Sequence, residues 1–276
     1  MKAGWRVSII IAAYQARDFI AEAVQSALSQ SVADTEILIS PDEPRDAADY
    51  SFLTQLDPRV RVLAEVLAPT GPGTARNRAL DAARGDFIAL LDADDLWAPD
   101  YLARLLPLAE RRGAAFGRTR ITDWAGKIVR EIRAKSDTVA FADFATAYGS
   151  LHGITRRSPQ RRWRDVLAED VLFDMESLAL CGGEAPFVPD AVYQLRLRPH
   201  SMTRGDHFIN EIGAGYDRLM AMIAAGETLI PPQHCAAAGA VFRSWQDMNA
   251  AFAAAQAVGD RRDFQAFVAQ AFVAGI

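Results

Sequence analysis

The chain has almost no lysine. Of its 30 basic residues only Lys2, Lys127 and Lys135 are lysines, and the rest are arginines. Fixed, planar guanidinium groups are therefore plentiful, and these suit diphosphate binding. Cysteine is equally scarce. Cys181 and Cys235 form no metal-ligand pattern and no disulfide framework, so a reduced, cytosolic chain is expected. No apolar run approaches the roughly 18–20 residues of a membrane span. An excess of positive charge is also missing: the net charge is -5, with 35 acidic residues. That excludes the general basic footprint of a nucleic-acid binder. Internal repeats and low-complexity linkers are absent.

What the chain does have is 276 residues, half of them hydrophobic and 24% charged, enough for one large globular domain with an appendage. Lys2 and Arg6 before the apolar run Val7 to Ala13 superficially resemble a short signal segment. A helical pattern follows the run directly, so it reads as a first core strand. Strand and helix signals then alternate. A helix is expected over 18–30 and a second strand over 36–40, stopped by Pro41-Asp42-Glu43-Pro44. A third strand is expected over 60–66. Thr74 can N-cap a helix running to Arg84, and Gly85 can end it in a left-handed turn. Phe87 to Leu91 is a fourth strand, and a helix over 100–112 contains Pro107 as a kink. Strands over 115–121 and 127–133 form a hairpin around Asp123-Trp124-Ala125-Gly126. A helix follows over 170–180, then a strand over 190–198. From about 206 the pattern is helical and alanine-rich. The expected fold is α/β with a largely parallel sheet, as a catalytic domain over 1–205 and a helical extension over 206–276.

The chemistry concentrates in Asp92-Ala93-Asp94-Asp95, in the turn leaving the fourth strand. Clustered carboxylates repel and usually need a counter-charge. Mg²⁺ or Mn²⁺ bridging them to a substrate diphosphate is one reading; a solvated acidic turn before a helix is the other. Tyr14 and Asp42 end the first two strands. In open α/β sheets ligands bind outside the carboxyl ends of the strands. A ring to stack on a base, a carboxylate to accept from it and an acidic cluster for a metal-bound diphosphate together describe a nucleotide-diphosphate site. The Gly71-Pro72-Gly73-Thr74 loop follows strand three and lacks a lysine-serine/threonine ending, which disfavours a P-loop or a Rossmann fingerprint.

Four segments carry a resemblance to a known family: Val7 to Tyr14, Ser26 to Ser31, Ala75 to Leu80, and Leu91 to Leu102. Glu169-Asp170 and Arg196 to Thr203 add weaker matches. In this order they resemble a family 2 glycosyltransferase with the GT-A fold, a Rossmann-like, mainly parallel mixed sheet flanked by helices. The resemblance implies inverting transfer of a sugar from a nucleotide-sugar donor, UDP-linked in the first instance, to a sugar or other hydroxyl acceptor in polysaccharide or glycoconjugate synthesis. It implies that Ala12 and Tyr14 border the base and that Asp42 hydrogen-bonds to it. Where the family has paired aspartates after strand two, this chain has Pro41 first. Arg76 and Asn77 would meet the diphosphate. Asp92 would meet the ribose, and Asp94, with Asp95 or Asp92, a divalent cation, Mn²⁺ or Mg²⁺. Asp170 is the implied general base, with Glu169 second. Arg198 stands where relatives carry a histidine, with His200 two positions on. An arginine there can neutralise the diphosphate directly but cannot ligate a cation.

His152, Trp163 and the basic run Arg156, Arg157, Arg161, Arg162 and Arg164 lie where this fold often lines the acceptor site. They allow an anionic acceptor, a peripheral contact at the inner face of the membrane, or a plain solvated loop. Two alternatives stand beside transfer. One is a sugar-nucleotide pyrophosphorylase, which would need a glycine-rich, arginine-bearing loop where this chain has Ala12-Ala13-Tyr14-Gln15. The other is a non-catalytic nucleotide-sugar-binding homologue, which Pro41 and Arg198 keep open.

Overall fold

The computed structural model describes residues 4–45, 49–199 and 208–274. The first half is built as expected. β1 (Val7–Ala13), α1 (Ile20–Leu28), β2 (Thr35–Pro41), β3 (Val60–Val62), α2 (Pro72–Ala82) and β4 (Phe87–Leu90) follow one another in sequence. β1 lies between β2 and β4, parallel to both, and β2 pairs parallel with β3. Side chains of β1 alternate between two faces. Val7, Ile9, Ile11 and Ala13 pack with α1 and α3 (Tyr101–Arg112), while Ile10 packs under α2 with Leu80, Ile88 and Trp163. A strand buried on both faces needs its near-continuous apolar run, and each such side chain removed from water contributes about 1.5–3 kcal/mol.

Three local expectations change. β3 stops at Val62 because in its register residue 64 falls opposite Pro41, which has no N–H to continue the ladder, and β2 ends there. α2 starts at Pro72, not after Thr74: Gly71 takes φ +90° before it, and proline pre-sets the first helical φ. Gly85 is not needed for a left-handed turn. It is needed because a Cβ there would sit 2.5 Å from the Ser8 backbone nitrogen. Its N–H donates to Ser8 Oγ at 2.8 Å, and that hydroxyl donates to the buried Glu36 at 2.7 Å.

The second half is more mixed. β5 (Leu96–Trp97) and α3 lead to the hairpin of β6 (Ala114–Asp123) and β7 (Ile128–Ile132), turned at Gly126 with φ +87°. Then come β8 (Thr138–Ala140), α4 (Phe141–Ala147), β9 (Gly153–Arg156), α5 (Glu169–Leu180) and β10 (Glu184–Leu197). The sheet order is β3-β2-β1-β4-β9-β6-β10-β5, with β7 against β6 and β8 against β10. β9, where the sequence suggests a loop, runs antiparallel to β4 and β6 and joins the two parallel blocks. β10 begins six residues earlier than expected and carries an irregularity between Val188 and Val192. α6 (Phe208–Ala224), α7 (Pro232–Ala257) and α8 (Phe264–Ala274) complete the chain. Residues from α6 and α7, among them Leu219, Phe242 and Trp245, share one core with β6, α4 and α5. Among the described residues no helix is long and apolar enough to cross a membrane.

Candidate active site

The acidic turn is not left to solvent. Tyr193 of β10 donates its hydroxyl to Asp95 Oδ2 at 2.8 Å and accepts the Asp92 backbone N–H at 3.0 Å. The Arg196 backbone N–H meets Asp95 Oδ1, also at 2.8 Å. Asp95 is 3% exposed. Burial, then the charges of Asp94 and Asp92, push its carboxyl well above the usual carboxylate range. With both oxygens engaged by β10, Asp95 shapes the turn. Asp92 and Asp94, the other two cation ligands expected from sequence, are not held by β10 in this way.

Asp92 and Asp94 each meet an arginine. Arg76 Nη2 donates to Asp92 Oδ1 at 2.8 Å, and Nη1 to Glu169 Oε1. Burial opposes charge on Asp92, but Arg76 outweighs it and holds the carboxyl below its ordinary value. Burial also works against the Arg76 charge, yet Asp92 and Glu169 together raise its pKa. Arg198 Nε meets Asp94 Oδ2 at 2.6 Å, and its guanidinium lies 4.5 Å from the Phe19 ring centroid. Asp94 is still raised, by burial and by Asp92, with Arg198 opposing. Next to it Arg196 bonds the Asp94 carbonyl and Glu22 and covers the Trp124 ring at 4.4 Å.

Glu169 and Asp170 open α5, directly across Arg76 from the acidic turn. Ala168 precedes them in the left-handed region, with φ +64°. Glu169 is buried. Burial pushes its carboxyl up to about 7, against the pull of Arg76. Asp170 accepts the Ser150 hydroxyl. So a single guanidinium joins Asp92 of the acidic turn to Glu169, the neighbour of the expected base Asp170.

The base end is more self-contained than the sequence suggests. Tyr14 is 50% exposed, with the Gln15 side-chain amide on its hydroxyl at 3.2 Å. Ala12 is opposite Ser40 on β2. Asp42, expected to read the base, is 4% exposed and accepts from Thr70 N–H, Thr70 Oγ1 and Gly71 N–H at 3.0, 2.6 and 2.8 Å. It holds the loop that starts α2, with Arg78 3.7 Å away. Glu43, which the sequence reading passed over, accepts from Gln15 N–H at 2.7 Å and from the Tyr50 hydroxyl. Its only sequence signal was its place beside Asp42.

Two groups of residues expected at the site already have partners within the chain. The Asn77 amide, expected at the diphosphate, donates to Trp163 O at 2.8 Å and accepts Trp163 N–H at 3.0 Å, tying α2 to the segment before α5. The basic run, too, is engaged within the chain. Arg156 lies over Phe87, Arg157 donates to the Gly85 carbonyl, Arg161 is 2% exposed, Arg162 pairs with Asp81 and Arg164 with Glu176. Rings, backbone carbonyls and carboxylates thus each hold a guanidinium of the run, while Arg156 and Arg157 stay exposed. His200, the other ligand candidate, lies outside the described residues.

The donor set suits a cation only in part. Among the described residues no group of three or more histidine, cysteine or acidic side chains could cage a metal ion. Two carboxylates in a turn still match the way Mg²⁺ and Mn²⁺ are held, by one or two protein oxygens plus substrate phosphates. The residues therefore fit a cation that arrives with a diphosphate.

Residues 8–165 match the family described as glycosyl transferase family 2. The chain belongs to that family. It is 31% identical over 245 residues to the succinoglycan biosynthesis protein ExoO of Rhizobium meliloti, covering 81% of this chain and 68% of ExoO. It is 34% identical over 110 residues to WfgD of Escherichia coli, a UDP-Glc:alpha-D-GlcNAc-diphosphoundecaprenol beta-1,3-glucosyltransferase, covering 40% of this chain and 43% of WfgD. In fold it resembles S. aureus TarS 1-349 in complex with UDP-GlcNAc, with a TM-score of 0.60 at 16% identity over 98% of this chain and 92% of TarS 1-349. It also resembles the mannosyltransferase PcManGT of Pyrobaculum calidifontis, solved with GDP-Man and Mn2+, with a TM-score of 0.58 at 17% identity over 98% of this chain and 80% of PcManGT. Glycosyl transferase family 2 membership removes the pyrophosphorylase alternative and gives the α/β architecture its GT-A character.

Proposed function

We propose that this protein transfers a sugar, with inversion, from a nucleotide-diphosphate sugar to an acceptor hydroxyl in polysaccharide or glycoconjugate synthesis. UDP is the expected nucleotide. The observation that carries this reading is Arg76, whose two nitrogens span Asp92 on the donor side and Glu169, next to Asp170, on the other. Tyr14 and Ala12 border the base, and Asp92 turns to the ribose. Arg198 and Arg76 offer planar donors to the diphosphate. Asp94, with Asp92, would hold Mn²⁺ or Mg²⁺ against the diphosphate, where the cation supplies Lewis-acid relief of the leaving group's charge.

Asp170 takes the proton of the acceptor hydroxyl. That oxygen bonds to the anomeric carbon as the bond from this carbon to the phosphate oxygen breaks. The nucleoside diphosphate leaves with the electron pair, and the proton stays on Asp170. Arg198 already neutralises Asp94, so dependence on added cation is weaker than two bare aspartates would give. A thermal-shift panel of nucleoside diphosphates and their sugars, with and without Mn²⁺, tests the reading, because a ligand bound only by the native state raises the melting temperature. UDP and UDP-sugars should shift it in chelator and more so with Mn²⁺. Indifference to every member would leave a family member without donor binding.

A further inference from the structure

Behind Asp170 lies a cavity of about 10 Å³, room for a single water. Ser150, His152, Thr155, Asp170 and Asp174 bring polar groups to its wall, and Ile88, Leu90, Trp163 and Phe173 close it. His152 is 4% exposed. Its ring stacks on Tyr193 with centroids 3.5 Å apart, and Nδ1 lies 2.9 Å from Thr119 Oγ1. The Thr119 hydroxyl already donates, to the Ser150 carbonyl at 2.9 Å. It can only accept from His152, so Nδ1 carries the ring proton and Nε2 is a bare acceptor. Nε2 has no partner among the described residues.

Asp174 stands one turn after Asp170 on α5 and likewise has no hydrogen-bond or ion-pair partner among the described residues. A partly buried carboxyl without a partner costs stability unless something is gained from it. We propose that the cavity is a built one-water site, in which the water accepts from Asp174 and donates to His152 Nε2 and to the Asp170 carboxylate, making Asp174 and His152 positioning residues for the base. The valences close: one donor, two acceptors and one water. Burial, then the Asp170 charge, pushes Asp174 well above the usual carboxylate range, against Arg161 and Arg76, so it enters as a neutral donor. Burial pushes His152 down to about 4 although Asp92 and Asp170 pull the other way, which keeps Nε2 bare. The other charged groups near this cluster are Glu169 on α5, Arg161 over Phe173 and Arg76 on α2. A hydrogen bond to a carboxylate favours its charged form, so the water keeps Asp170 ready to accept.

The kinetic part rests on Asp170 being the base; the water site itself does not. Histidine ¹⁵N NMR on the full chain, with His152→Gln to assign one of four histidines, should show a neutral ring protonated at Nδ1 that does not titrate from pH 5.5 to 8. An Nε2–H tautomer, or titration near 6.5, overturns the site. A high-resolution crystal structure should show one water touching His152, Asp170 and Asp174; a dry cavity overturns it too. With UDP release from a UDP-sugar as the assay, Asp174→Leu should move the acid limb of kcat upward by about one pH unit. Asp174→Asn, which keeps a donor, should leave the limb in place. If Leu and Asn leave the limb unmoved alike, the water does not act on the base. If wild-type protein turns over no nucleotide sugar, the proposed function fails, while the NMR and the crystal structure still decide the water site.

Discussion

The two halves that meet at the crevice are organised on different principles. On the donor side, β1, β2 and β4 run parallel, so Tyr14, Asp42 and Asp92 reach the same edge of the sheet simply by ending their strands. Arg76 and Asp92, which touch, are 16 residues apart. On the other side, Glu169 reaches the same arginine from 93 residues away. It gets there only because β9 reverses direction between β4 and β6 and because α5 starts from a left-handed residue. A parallel block turns motif order into geometry; a mixed block must be held to the first by individual contacts. Beside the β4–β9 ladder, Arg76 is the side chain that spans the two at the acidic turn.

The sharpest way to break the comparison is chemical. Asp94→Ala and Asp170→Asn should each reduce transfer by about 10²–10⁴-fold, but only Asp94→Ala should weaken UDP binding by roughly tenfold or more. Calorimetric titration of UDP against both variants checks this. Near-normal turnover by Asp170→Asn would move the base elsewhere, and equal loss of UDP binding would erase the distinction between the halves. The next largest effect is on stability. Arg76→Ala leaves two carboxylates without their shared counter-charge and should cost about 3–5 kcal/mol in urea unfolding. A loss under about 1 kcal/mol would mean that the halves are joined by apolar packing alone.

The smallest effect concerns pH. Glu169 is raised from an ordinary 4.5 to about 7 in the folded protein, so between those values the folded state binds more protons than the unfolded one. Its contribution to stability therefore falls as pH rises from 4.5 to 7 and is flat on either side. The melting temperature of Glu169→Gln, followed over that range, should fall less than that of the wild type. An identical slope would mean that Arg76 fully compensates the burial of Glu169.

These contrasts also explain what could be read from the sequence. Ile9, Ile10 and Ile11 announce a strand buried on both faces, and the Asp92–Asp95 turn announces itself by composition. The same composition hides how the turn is used. Asp95 belongs to Tyr193 and Arg196, 98 and 101 residues on, and no local pattern carries that. The resemblance implies the same role for Asn77 as for Arg76, yet one position along a helix turns a side chain about 100° away, here onto Trp163. β9 was illegible for another reason. Four residues beginning with glycine have little strand signal of their own, and Gly153 is there because a Cβ would lie 2.6 Å from the Ala115 carbonyl. The arginine run misleads in the opposite direction, since charge in sequence says nothing of which carbonyls and rings wait to receive it.

The grip of Asp42 on Thr70 and Gly71 has a mechanical side. Those two residues are the hinge pin of α2, and Arg76 sits on its next turn. The same helix carries Asp92 and Glu169 on Arg76. Loosening the Asp42 clamp would therefore free the start of α2 and, one turn on, the guanidinium that ties the acidic turn to α5.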